Sequence, residues 1–261
     1  MKKSIALLSL FICFGAAVGH TQPFVRAALG LNRFHYKFSS SYQDAFIQAT
    51  GATYETQPGS GFQAAAGGGL ELGPHASIIV EANFVQRKMA WTTQENYDID
   101  ITDRNGSTST VLGFPVWTER VTEIEVPVYF RYTAFEGRFS PTLAVGLSFN
   151  MAFKGKGDNV IETQNKTYPN GDYPLKFGSA RTDDYKAFDM AINLRPGLLF
   201  KIDDDGVMKL TLDANFSTGL TDLVSQARKD FLAADGIDIL GTQKNRGALF
   251  NLGFEFCFAC E

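Results

Sequence analysis

Along most of the chain, large apolar residues alternate one-for-one with small or polar ones. In the last segment Ala248, Phe250, Leu252, Phe254, Phe256 and Phe258 share one parity, and Gly247, Leu249, Asn251, Gly253, Glu255 and Cys257 the other. Before it, Met208, Leu210, Leu212, Ala214 and Phe216 alternate with Lys209, Thr211, Asp213, Asn215 and Ser217. Segments around 188–202, 142–153 and 123–132 repeat the rule, and those around 24–38, 61–73 and 76–91 follow it less cleanly. A helix repeats near 3.6 residues and cannot produce such runs, whereas a strand turns successive side chains to opposite faces. The pattern predicts eight strands. Pro127 and Pro196 fall inside two of them and each removes a ladder hydrogen bond, so a local bulge or kink is expected at each.

The connections carry as much information as the strands. Gly73-Pro74-His75, Phe135 to Arg138, and Asp203-Asp204-Asp205-Gly206 are short links. The stretches at about 39–60, 92–119, 155–184 and 220–245 are long, and the two kinds alternate along the chain. Outer-membrane barrels do this, with tight periplasmic turns and long outer loops. An even strand number puts both ends of the barrel on the short-turn side. Tyr36, Phe38, Trp91, Trp117 and Phe153 are expected to form an aromatic girdle at the long-loop end. Tyr132, Phe135, Phe139, Phe200 and Phe258 are expected to form one at the other end.

The rival arrangement is a soluble eight-stranded barrel of the lipocalin type, which puts its apolar face inward. Here the polar face is crowded with Gly, Ala, Ser and Asn, small enough for a narrow lumen. The apolar face is too rich in Phe and Leu to fit inside eight strands. The sequence therefore predicts an all-β, eight-stranded antiparallel up-and-down transmembrane β-barrel with short periplasmic turns and long extracellular loops. Composition agrees: 23 Phe and 25 Gly in 261 residues suit a sheet protein. A net charge of −4 leaves no basic footprint for nucleic acid.

The front of the chain reads as an address. Lys2 and Lys3 precede an apolar run from Ile5 to Val18, and small residues follow at Ala17-Val18-Gly19. Residues 1–22 are expected to be a cleaved signal peptide, cut between Gly19 and Pro23, leaving 23–261 as the barrel. Cys13 does not make this a lipoprotein, because Phe11-Ile12 stand where small residues would be wanted.

The polar face carries the candidate chemistry. Glu71, Glu81, Glu123, Glu125, Asp189, Asp213 and Glu255 share it with Arg131, Arg195 and Lys209. Unpaired charges in so narrow a space are costly, so they should pair across strands. Glu81, Glu123, Glu125, Arg131, Arg195, Asp213 and Glu255 are thus expected to form a structural polar network filling the lumen. An ion or proton path is the functional alternative. Glu123 and Glu125 have the spacing of paired catalytic carboxylates, but alternating lumen acids produce it too. His35 near Ser39, Ser40 and Ser41 is the one His-plus-Ser arrangement near the outer rim, while His75 falls in a periplasmic turn. Cys257-Phe258-Ala259-Cys260 has a redox or metal spacing, yet it ends a strand rather than opening a helix, which argues for a terminal pair. No catalytic, cofactor or metal site is expected.

Two outer loops show structure of their own. Ile99, Ile101, Asn105-Gly106 and Val111 read as a hairpin above the membrane. Leu223, Ala227, Phe231 and Ala234 are spaced for a short helix.

The strand Glu123-Ile124-Glu125-Val126-Pro127-Val128-Tyr129-Phe130-Arg131-Tyr132 resembles the hallmark strand of PorT-like outer-membrane β-barrel proteins, common in Bacteroidota. The likeness extends to the signal peptide, the Gly67-Gly68-Gly69 stretch and the alternating final strand, and so to most of the mature chain. It departs at Ala259-Cys260-Glu261, which follow the last aromatic where such barrels usually finish on one; Phe258 takes that place. The resemblance implies a bacterial outer-membrane location and a tie to a secretion pathway. The expected function is that of a non-enzymatic binding or scaffolding component of the cell envelope or of a secretion machinery, with outer-membrane lipid and protein partners. A small channel is the alternative, and a membrane-embedded lipid-modifying enzyme a third.

Overall fold

A computed structural model describes residues 21–41, 43–44, 54–93, 97–102, 105–163, 167–180, 182–234 and 242–258. The expected signal segment with Cys13 lies outside the described residues except for its last two positions. Ala259-Cys260-Glu261 and the side chains of Ile101, Phe231 and Ala234 also lie outside them.

The strands are β1 (Gln22–Phe38), β2 (Tyr54–Gly73), β3 (Ala76–Thr93), β4 (Tyr97–Thr102), β5 (Thr108–Thr133) and β6 (Phe139–Glu162). They continue as β7 (Thr167–Leu175), β8 (Phe188–Lys201), β9 (Met208–Gly219) and β10 (Gln243–Cys257), with a helix α1 (Gln226–Ala234) between the last two. Eight strands close a ring in the order β5-β3-β2-β1-β10-β9-β8-β6, and β6 returns to β5. Every neighbouring pair is antiparallel. This is the expected barrel. β1 and β10 seal it from Phe24↔Cys257 to Phe38↔Gln243, which leaves no sheet edge facing lipid.

Outward side chains such as Leu31, Leu143, Ile192, Leu212 and Phe250 are exposed, whereas inward Ser148, Asn150 and Asn193 are buried. On β10 the outward apolar run from Ala248 to Phe258, at ~3.4 Å per residue and ~40° of tilt, covers about 25 Å of height. That matches an outer-membrane hydrocarbon layer. The lower girdle includes Tyr132, Phe135, Phe139 and Phe258, all exposed. The upper edge is ringed by Phe62, Phe84 and Phe153, in successive ring contacts of 6.0 and 6.4 Å.

Three local expectations are corrected. Of the five aromatics assigned to the upper girdle, only Phe153 faces out. Tyr36 is buried in the lumen, Phe38 and Trp91 pack against the same inner cluster, and Trp117 stacks on Trp91 at 6.2 Å. These rings stand above the lipid band, where the mouth of the barrel needs filling. Second, the long connections are shorter than expected, because strands β2, β5 and β6 run on into 54–60, 108–119 and 155–162. Pairs such as Glu119↔Gly157 continue the wall beyond the membrane. Third, of the bulge or kink expected at each proline, no bulge forms, although the ladder bonds are lost as expected. Pairing of β3 with β5 lapses between Val80↔Val128 and Asn83↔Glu125, then resumes in the same register. Pro196 does the same between Leu194↔Phe216 and Gly197↔Asp213. The ladder loses bonds on the proline side while flanking pairs hold the register. One bulge sits in β6 instead: Glu123 pairs Ala152 but Thr122 pairs Lys154, so Phe153 is the extra residue.

The expected outer hairpin is β4 against the start of β5, turned at Gly106 with φ of 81°. β7 makes a second hairpin with β6 that the alternation did not reveal, because Pro169 and Pro174 interrupt it.

In β2, Gly69 lies beneath the inward Phe24 ring. A Cβ there would stand 2.3 Å from the Ile78 carbonyl oxygen and 2.4 Å from that ring. Gly69→Val should destabilise the barrel by about 1–3 kcal/mol, read as a lower temperature for loss of the compact, fast-migrating form in semi-native electrophoresis.

Candidate functional site

The lumen is built in storeys, each set by the strand parity that aims its side chains inward. At its centre, Arg26 from β1 reaches three carboxylates: Glu81 at 2.7 Å, Asp213 at 2.5 Å and Glu255 at 2.9 Å. Thr211 accepts a further bond at 2.8 Å. Arg195 bridges Glu81 and Asp213, each at 3.0 Å, and Arg131 holds Glu255 at 2.5 Å. Three guanidinium groups and three carboxylates therefore balance, and all six side chains are buried. Aromatic faces lie against the same cations, with Arg195 4.8 Å from the Tyr129 ring and Arg131 5.3 Å from Phe24. Below, Lys209 pairs with Glu71 at the entrance to a polar vestibule of about 330 Å³ on the periplasmic side.

Above the centre, charge no longer balances. Arg87 meets Glu123 at 2.5 Å and Glu125 at 3.9 Å, and lies 4.1 Å over the Phe34 ring. Asp189 accepts from Thr221 and from Asn245, the latter at 3.4 Å. Between these storeys Asn83, Asn150, Asn193, Asn215 and Asn251 fill the section with amides.

Of the sequence-based set, Glu81, Arg131, Arg195, Asp213 and Glu255 fall in the central cluster, while Glu123 and Glu125 lie one storey up. The alternation does not single out Arg26 and Arg87, which organise the two storeys. They sit on β1 and β3, where the inward parity also carries Phe24, Phe34, Ile79, Val85 and Met89 and so hides the polar face.

At the outer mouth a lid of side chains closes the lumen. Leu175, Phe177, Tyr185 and Leu223 pack onto Phe34, Tyr36, Met89, Val121 and Leu249. Lys186 N–H donates to the Leu223 carbonyl at 2.6 Å and Ala152 N–H to Ala187 at 2.8 Å, tying the segment into the mouth. Under it lies Glu119, above the apolar band and 2% exposed. Tyr36 donates to it at 2.5 Å, Tyr185 at 2.9 Å, and Tyr173 also bonds to it. Burial pushes the Glu119 carboxyl up from 4.5 to about 7, against the pull of those phenols, with Asp184 adding to the rise.

The other candidates lie elsewhere. His35 is above the apolar band, in register with Arg246; burial and that cation lower its pKa. Ser39 is engaged in closing β1 to β10, its Oγ accepting from Thr242 N–H at 2.9 Å. His75 Nδ1 lies 2.9 Å from the Thr133 carbonyl in a turn. Cys257 is disulfide-bonded and buried beside Phe24; Cys260 lies outside the described residues.

A closed ring, apolar outside and charged within, defines a transmembrane barrel. The chain belongs to the outer membrane protein beta-barrel domain family, whose profile matches residues 22–225. It is thus an outer-membrane protein whose apolar band meets membrane lipid. No curated protein matches it. Among solved structures it is similar to the outer membrane protein OprG of Pseudomonas aeruginosa, at 9% identity and a TM-score of 0.45 over 91% of this chain and 95% of that one. It is similar to Neisserial surface protein A at 8% identity and a TM-score of 0.40, over 92% and 99% of the two chains. It is also similar to the outer membrane protease OmpT of Escherichia coli, at 8% identity and a TM-score of 0.40, over 91% and 97%. The expectation that the chain is not an enzyme is corrected to this extent: a protease stands among the barrels it is similar to.

Removing Arg26 leaves three buried carboxylates facing two guanidinium groups, so one buried negative charge is uncompensated. Arg26→Met should cost about 3–5 kcal/mol, measured by urea unfolding in detergent followed by tryptophan fluorescence. The lid should respond to pH through Glu119. Its raised value makes closure strongest below pH 4.5 and weakens it as pH rises through about 7. The loss amounts to about 3 kcal/mol. Trp91, 5.8 Å from Tyr36, should report this as a fluorescence change between pH 5 and 8 that Glu119→Gln abolishes.

Proposed function

We propose that this chain is a plugged outer-membrane barrel that serves as a binding or scaffolding component of the cell envelope or of a secretion machinery. The observation that carries this reading is the filled lumen. The Arg26 cluster occupies its centre, and the Leu223 and Tyr185 lid covers its outer mouth. The working surface is then what projects outside: the β4–β5 and β6–β7 hairpins, set on walls that rise beyond the membrane, and α1 in the connection between β9 and β10. Loops held by a rigid scaffold are a natural binding surface.

The Glu123 to Tyr132 strand supports a place among PorT-like proteins of Bacteroidota, and with it a protein partner in a secretion or envelope complex. The same reading takes residues 1–22 as a signal peptide removed on export. Removing 1–22 takes only Gln22, the first residue of β1, and leaves the pairing of β1 with β2 intact from Pro23↔Leu70 onward.

Gentle detergent extraction from the native outer membrane, followed by sizing and identification of co-purifying chains, tests this. A complex of constant composition is the expected result. A lone barrel of about the chain's own mass that conducts ions in a planar bilayer would overturn it in favour of a channel.

A further inference from the structure

Directly above the apolar band, the outside of the barrel wall turns basic. On β1 the outward parity runs Leu29, Leu31, then Arg33, His35 and Lys37. On β10 it runs Leu252, Phe250, Ala248, then Arg246 and Lys244. The two strands are neighbours, and their register sets Lys37 opposite Lys244 and His35 opposite Arg246. Like charges directly across a strand pair repel and destabilise the sheet. Among the described residues none of Arg33, Lys37, Lys244 and Arg246 forms an ion pair, although the protein as a whole is acidic, at −4.

The basic surface continues around the ring. Lys88 on β3 is opposite Arg120 on β5, and Arg120 is opposite Lys156 on β6. Lys154 joins them because the bulge at Phe153 turns it outward. Here the repulsion is partly relieved within the chain, by Asp158 and Asp172 on Lys156 and by Asp158 on Arg120. Among the described residues the β1–β10 face has no such relief. Its cations stand at the height where hydrocarbon gives way to head groups, on the long-loop side and hence in the outer leaflet.

We propose that the β1–β10 face, through Arg33, Lys37, Lys244 and Arg246, binds the phosphate groups of outer-leaflet glycolipids. Acyl chains lie along Leu29, Leu31, Phe250 and Leu252 below, and phosphates sit among the four cations above. One amphiphile thereby meets an apolar surface and an uncompensated positive one in the right vertical order. Anionic lipid also removes the cross-strand repulsion that the described residues leave unrelieved.

The test uses the full mature chain in phosphatidylcholine bilayers containing either bis-phosphorylated lipid A or its dephosphorylated form, with retained lipid counted by native mass spectrometry. The wild type should retain the phosphorylated lipid at least about tenfold better than R33Q/K37Q/K244Q/R246Q, and should retain the dephosphorylated form no better than phosphatidylcholine. The double variant K37Q/K244Q, which removes one facing pair, should give an intermediate loss and serves if the fourfold variant does not fold. Equal retention by wild type and a folded variant, or equal retention of both lipid forms, would overturn the proposal. So would tighter binding of a soluble polyanion such as sucrose octasulfate than of lipid A, which would make the face a site for an extracellular polysaccharide.

Discussion

Closing eight strands into a ring leaves an interior that side chains nearly fill, and Arg26 is the group on which that filling turns. It touches carboxylates from β3, β9 and β10, so one guanidinium links strands on opposite sides of the wall. Arg131 from β5 and Arg195 from β8 complete the balance. Buried ion pairs of this kind contribute little against an apolar filling of equal volume, yet breaking one is expensive. What they provide here is a lumen that tolerates inward charge on nearly every strand while the outer face is given over to lipid.

That constraint organises the molecule vertically. The balanced cluster sits deep in the membrane, where an uncompensated charge would be least tolerable. Excess acid appears higher, around Arg87, where amides and hydroxyls supply donors. Higher still the wall leaves the lipid, and the lumen is closed by aromatic and aliphatic side chains around Glu119 instead of by charge. The outer surface inverts the order, from aliphatic chains, through a ring of Phe, to Arg and Lys. The barrel therefore meets the membrane through two graded surfaces.

The alternation was legible because two different solvents, hydrocarbon and a cramped polar lumen, press on opposite faces of each strand. It located eight strands, the short turns, the β4–β5 hairpin and the inward side of ten charged residues. It failed wherever the lumen itself became apolar. Phe24, Phe34, Ile79, Val85 and Met89 point inward on β1 and β3, and their apolar character made those strands look irregular and concealed Arg26 and Arg87. Tyr36, Phe38, Trp91 and Trp117 were misplaced for a related reason, since an aromatic just beyond the membrane fits a lipid girdle and a lid equally well by composition.

The sequence by itself determined which faces oppose each other along each strand, and hence the architecture and the membrane it serves, because period-two patterning needs only local parity. It did not determine which charges meet. Glu81 finds Arg26 and Arg195 only through the register and stagger of a closed ring, and those depend on all eight strands at once. The bulge at Phe153 makes the same point in one residue. It resets parity so that Lys154 and Lys156 join the outer basic surface, a choice made by the pairing of β5 with β6 and invisible in either strand alone.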